Sequence, residues 1–198
     1  RHHACPRVCQ RGTNWPTPDL PSAGARASVP HMVRVLFVCL GNICRSPQAE
    51  GVFHRLVRDA GLADEISCDS AGTSDYHVGE LPHPRTRATS ARHGVVLTHR
   101  SRQVTVADLD TFDWVVAMDH DNWTVLERMA GGVRARTRKL RLLREFESSP
   151  TDLAVPDPYG GGDDGFERVF QICERACEGL LTDRKSTRLN SSHLGISY

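Results

Sequence analysis

Two residues near the first third of the chain have the types and spacing to handle a phosphate. Cys39 and Arg45 are separated by five residues, in Cys39-Leu40-Gly41-Asn42-Ile43-Cys44-Arg45-Ser46-Pro47. A cysteine among converging backbone N–H groups and beside a guanidinium is favoured as the thiolate, the nucleophilic form. Arg45 offers a planar fork that matches two phosphoryl oxygens at once. A thiolate at the base of such a cradle is a nucleophile aimed at phosphorus. Attack on a phosphate monoester also needs an acid for the leaving oxygen. The best candidate is Asp157 in Val155-Pro156-Asp157-Pro158-Tyr159-Gly160. Prolines on both sides stiffen that stretch and limit where the carboxylate points.

The elements around the pair fit this reading. Val35-Leu36-Phe37-Val38 is a continuous apolar run, as in a strand buried on both faces. After Pro47, Ala49, Val52, Phe53, Leu56, Val57 and Ala60 recur at helical spacing. Pro47 suits a first helical turn and Ser46 its N-cap. The loop thus joins a strand to a helix N-terminus, where free N–H groups and the dipole favour an anion.

The Cys39–Pro47 stretch resembles the phosphate-binding loop of the low-molecular-weight protein tyrosine phosphatases, in a bacterial style. Asp69-Ser-Ala-Gly-Thr-Ser74, Met118-Asp-x-x-Asn122 and Asp157-Pro-Tyr-Gly160 match further motifs of that family, and the resemblance covers residues 32–182. It implies a four-stranded parallel α/β sheet, Rossmann-like in order 2-1-3-4, with helices on both faces. It implies phosphotyrosine hydrolysis through a phosphocysteine on Cys39, with Asp157 as acid and then base. Leu40, Gly41, Asn42, Ile43, Cys44, Arg45 and Ser46 would bind the phosphate, and no metal or cofactor is required. His99, Asp119 and Asn122 match positions that support the loop, His99 by bonding to Asn42. Tyr76 and Tyr159 would wall a pocket for a flat phosphotyrosine ring. Where many eukaryotic members carry a second tyrosine after the acid loop, this chain has Gly160-Gly161-Gly162. Cys44 is either a disulfide partner that shields Cys39 from oxidation or a small packing residue.

Alternating patterns predict strands over 32–38, 65–69, 114–118 and 139–143. Helices are predicted over 48–60, 85–93, 105–109, 120–129 and 166–181, with Thr105 as an N-cap. Such alternation argues for an open parallel sheet, whose ligands sit at the carboxyl ends of strands. The Cys39 loop lies there.

A net charge of +1 gives no reason to invoke nucleic acid or an anionic membrane surface. No stretch approaches the roughly 20 apolar residues of a membrane span. Seven cysteines without the spacing of a small disulfide scaffold point to a reduced, cytoplasmic setting. The expected partner is a tyrosine-phosphorylated protein, and the expected state a monomer or weak dimer. Residues 1–31 are proline-rich and aperiodic, and read as a disordered or non-native extension before a natural start at Met32. His2, His3, Cys5 and Cys9 within it read as a polar tail rather than a metal cluster. Residues 183–198 resemble translated sequencing-adapter sequence and are expected to carry no function.

Two other functions share parts of this pattern. A thiol-dependent arsenate reductase has the same fold and loop, but its relay needs further cysteines, and the stretch from Asp69 to Ile172 contains none. A non-catalytic phosphotyrosine-binding module would have lost the nucleophile or the acid.

Overall fold

The structure, a computed structural model, describes residues 32–193, with side chains to Asp183. The readings made for residues 1–31 and 194–198 lie outside the described residues.

Four strands form one parallel sheet: β1 (Val33–Cys39), β2 (Ile66–Gly72), β3 (Trp114–Ala117) and β4 (Leu140–Leu142), in the order β2-β1-β3-β4. The topology is the one the resemblance implied. β1 pairs on both sides, so its two faces are covered by helices and its side chains sort by alternation. Val35, Phe37 and Cys39 fall on one face, in a core shared with α1 (Arg45–Asp59) and α6 (Asp163–His193). Leu36 and Val38 fall on the other, in a core shared with α3 (Val106–Thr111) and α4 (His120–Ala130). Phe37 meets Phe53 of α1 edge-on at 5.6 Å, and both are fully buried. Burying one such ring is worth roughly 1.5–3 kcal/mol. This packing fixes the strand end that carries Cys39 against the helix that carries Arg45.

The helix ends follow local chemistry. Thr105 caps α3 in a reciprocal capping box with Asp108, as expected. α2 (Pro84–Arg92) begins at a proline, with the His83 side chain accepting from the Arg85 N–H. Gly94 and Gly131 take the left-handed turns that close α2 and α4.

Several boundaries differ from the pattern reading. α1 starts at Arg45, so Cys44 is the N-cap and Ser46 lies inside the first turn. Ser46 does not cap because its hydroxyl is committed to the Cys39 loop. β2 continues through Ser70-Ala71-Gly72, past the predicted end at residue 69, because the parallel ladder with β1 runs to Cys39. A one-turn helix α5 (Arg134–Thr137) and a 3₁₀ turn (Leu143–Phe146) carry too few residues to show a period. α6 runs past Leu181 to His193. No Pro or Gly stands between Leu181 and Gly195 to stop it. No helix among the described residues is long and apolar enough to cross a membrane.

Candidate active site

The loop after β1 turns its carbonyls away from the cleft and ties them down. Cys39 O accepts from Thr73 N–H at 2.8 Å and Leu40 O from Ser74 N–H at 2.9 Å. Gly41 O accepts from the Ser101 hydroxyl at 3.1 Å, and Ile43 O from His83 N–H at 2.8 Å. The N–H groups of Gly41, Ile43, Cys44, Arg45 and Ser46 have no acceptor among the described residues. A loop with its acceptors used and its donors free is a receptor for an anion.

Asn42 holds that shape. It is the only non-glycine with positive φ among the described residues, at 54°, the left-handed conformation that Asn tolerates. Its fully buried amide is saturated. Nδ2 donates to the hydroxyls of Ser46 (2.9 Å) and Ser70 (2.8 Å), while Oδ1 accepts from His99 Nε2 (2.8 Å) and Arg102 N–H (2.9 Å). Opposite, Gly72 lets the backbones close up, since a Cβ there would lie 2.7 Å from Leu40 O.

Cys39 Sγ sits at the base of the loop, 3 % exposed. It accepts from the Asn42 N–H at 3.2 Å and lies 3.0 Å from Ser46 Oγ. Ser46 Oγ accepts from Asn42, and its one proton has two acceptors in reach, the sulfur and, at 3.3 Å, Ala71 O. Cys44 is also buried, and burial pushes its thiol up to about 12. It therefore stays protonated, unlike a nucleophile. Both thiols are free.

Arg45 enters from the first turn of α1 and meets two carboxylates. Nη1 bonds to Asp119 and, at 3.3 Å, to Val155 O, while Nη2 donates to Asp157 at 2.9 Å. Burial works against this cation, but Cys39, Asp157 and Asp119 outweigh it and hold it charged. Asp119 is itself fixed as the N-cap of α4, accepting from Asn122 N–H at 2.7 Å and, with the Asn122 amide turned so that its nitrogen faces the carboxylate, from that amide at 3.0 Å. The acid loop is pinned where Val155 N–H donates to Met118 O at 2.7 Å, and Asp157 accepts from Tyr159 N–H at 3.0 Å.

These groups line a cleft of about 230 Å³, with Leu40, Tyr76, His77 and Tyr159 at its walls. Tyr159 packs edge-on to His83 at 5.9 Å, and His83 stacks on Phe166 at 5.3 Å. Among the described residues, the site residues singled out from the sequence thus converge here or on the groups that hold the loop. Sequence reasoning missed His77 at the wall and His83, which packs against Tyr159. Behind Asn42 it quoted Asp69 and Ser70 only within a matched motif, and it missed Glu50 and Arg102. Ser70 Oγ donates to Glu50 at 2.6 Å, and Arg102 pairs with Asp69 at 2.8 Å. Burial pushes Glu50 up to about 7 and lowers His99. Single polar residues on three separate elements leave no spacing by which to find them.

Comparison with known proteins agrees with the geometry. The family described as low molecular weight phosphotyrosine protein phosphatase matches residues 34–192. A low molecular weight protein-tyrosine-phosphatase of Streptomyces coelicolor is 48 % identical over 150 residues, covering 75 % of this chain and 91 % of that protein. A human low molecular weight phosphotyrosine protein phosphatase is 43 % identical over 147 residues, 74 % and 92 % of the two chains. Among solved structures, YfkJ from Bacillus subtilis superposes with a TM-score of 0.76 at 39 % identity, over 81 % of this chain and 99 % of that one. By these matches, this chain belongs to the low molecular weight phosphotyrosine protein phosphatase family.

Proposed function

We propose that the chain hydrolyses phosphotyrosine in proteins through a phosphocysteine intermediate. The observation that carries this reading is the convergence of Cys39, the free loop N–H groups, Arg45 and Asp157 on one cleft. The phosphate dianion seats on the loop amides and the guanidinium. Cys39 attacks phosphorus, and the bond to the phenolic oxygen breaks as Asp157 delivers its proton there. Water, deprotonated by Asp157, then hydrolyses the S–P bond and returns the thiolate. Arg45 and the amides stabilise the equatorial oxygens throughout, so this chemistry calls for no metal.

Ser46 favours the attacking form of Cys39 by facing its hydroxyl to the sulfur. Asn42, with His99 behind it, keeps the loop amides aligned. Asp119, steadied by Asn122, keeps one edge of Arg45 in place while the other serves the phosphate. Tyr76 and Tyr159 give the flat walls that select an aryl ester over the shorter phosphoserine. Arsenate reduction is less well supported: besides Cys44 in the loop itself, the thiols Cys173 and Cys177 in the core that holds Cys39 are fully buried.

Acid quenching of a turnover mixture, followed by peptide mass analysis, tests the intermediate. A phosphoryl group on Cys39, enriched in Asp157→Ala, is the expected result. Turnover with no phosphoryl group on Cys39 would remove the reading.

A further inference from the structure

Between the 3₁₀ turn and Ala154 the chain makes an excursion, with Ser148, Ser149, Thr151 and Asp152 exposed. Asp157 follows directly, so its place depends on the bonds that catch the chain on its return. Two of them are made by Val155, whose N–H donates to Met118 O at 2.7 Å and whose carbonyl accepts from Arg45 Nη1 at 3.3 Å. The third comes from outside the cleft. Arg144 Nη1 donates to Ala154 O at 3.1 Å, across the base of the excursion.

Arg144 is a buried cation that the mechanism leaves unused, and it does not line the cleft. Its Nε donates at 2.6 Å to Oε1 of Glu147, whose side chain is equally buried. A buried ion pair adds little net stability over apolar residues of the same size. A guanidinium adds direction instead, because its donors form a rigid fork. Glu147 fixes one edge of that fork and so aims the other at Ala154 O. The base is itself anchored. Leu143 is fully buried in the core that also holds Val155. Phe146 O packs so closely on α6 that a Cβ on Gly179 would lie 1.8 Å from it. Arg175 Nε of α6 stands 3.6 Å from the second oxygen of Glu147. The bond to Ala154 O thus runs from a fixed body to the residue three before the acid.

We propose that Arg144, braced by Glu147, is a positioning residue for the reaction: it sets the path of the acid loop through Ala154 O and so the direction of the Asp157 carboxyl. The inference rests on Asp157 being the acid. Only Val155 and Pro156 intervene between Ala154 and Asp157, and the proline ring fixes one backbone angle, so a shift at Ala154 is passed on to Asp157. Misplacing a catalytic group by about 1 Å can cost about 10²-fold in rate.

The test is a mutant cycle read with two leaving groups. Arg144→Met combined with Glu147→Gln removes both charges together, so no lone ion is left buried. Arg144→Lys keeps the cation without the fork. Each is made in the full chain and again with Asp157→Ala, and kcat is measured for phenyl phosphate and p-nitrophenyl phosphate. The neutral pair should lower kcat for phenyl phosphate about 10- to 100-fold, and less for p-nitrophenyl phosphate, whose leaving group needs less protonation. Arg144→Lys should restore part of the loss. With Asp157→Ala already present, neither should lower kcat further, because residues acting as one unit are not additive. Inorganic phosphate affinity equal to the parent's reports a folded loop. Where the neutral pair fails to fold, Arg144→Lys decides by the same criteria. An undiminished kcat, an equal loss for both esters, or the same loss repeated on Asp157→Ala would overturn the inference and leave Arg144 a structural residue. Asp157→Ala with no loss that depends on the leaving group would instead remove the acid, and this inference with it.

Discussion

Arg45 Nη2 donates to Asp157 Oδ2 at 2.9 Å, so the proposed acid is docked on the proposed phosphate anchor. A phosphate dianion competes for that nitrogen, and its arrival frees the carboxyl to face the leaving oxygen. Asp157→Ala should therefore lower kcat by about 10²–10⁴-fold for phenyl phosphate. The loss should shrink for a leaving group acidic enough to depart unprotonated, such as p-nitrophenol. Steady-state kinetics across a series of phenols checks this, and an equal loss for all of them would count against Asp157 as the acid.

Asn42 combines a positive φ with four side-chain hydrogen bonds. Asn42→Gly keeps the backbone conformation and loses the bonds, while Asn42→Ala loses both. Denaturant unfolding should show both variants destabilised by about 2 kcal/mol or more. Alanine should be the worse by about 1 kcal/mol. Equal stabilities would mean the left-handed turn is not retained.

Gly72 stands where β2 passes beneath the loop. Alanine there brings a Cβ to 2.7 Å from Leu40 O and 3.2 Å from Asn42 N. Both contacts are backbone, so the loop itself must shift. Gly72→Ala should fold, with a stability loss of about 1–3 kcal/mol. It should lose at least tenfold in kcat/KM and in phosphate affinity. Circular dichroism and phosphate titration together separate this from unfolding.

Four buried or half-buried thiols set the alkaline limit of stability. Burial raises Cys44 and Cys173 to about 12 and moves Cys68 and Cys177 upward as well. The sign follows from proton counting. Above the ordinary thiol value of 9.0 the unfolded chain releases protons that the folded chain keeps, so the folded state loses stability as pH rises. Each thiol contributes a slope of up to about 1.4 kcal/mol per pH unit. Tm should fall steeply between pH 9 and 11, and Cys173→Ala should flatten the slope while lowering Tm at neutral pH.

How far the sequence carried this picture depends on where the information sits along the chain. The strand–loop–helix around Cys39 was legible because an apolar run, a nine-residue loop motif and a helical period are contiguous. Asp157 was legible through its flanking prolines. His99 and Asp119 came from matched motifs, and the structure brings them to Asn42 and Arg45. Ser46 was misplaced as an N-cap because hydroxyl chemistry at a helix start has two outlets, and here the sulfur, Asn42 and Ala71 O take it. Of the Glu50, Asp69, Ser70 and Arg102 network, only Asp69 and Ser70 showed in the sequence, as part of a matched motif with no role attached. Its members meet only when α1, β2 and the segment after α2 pack together. The end of α6 was set too early because its apolar face fades before its backbone bonds do.

Hydrolysis of an aryl phosphate by the chain and by Cys39→Ser, in EDTA and reductant, tests the central claim most directly. The account predicts turnover that survives EDTA, peaks at mildly acidic pH in a bell-shaped profile, and disappears in the serine variant while phosphate still binds. Turnover retained by Cys39→Ser, or a folded parent with no turnover, would contradict it.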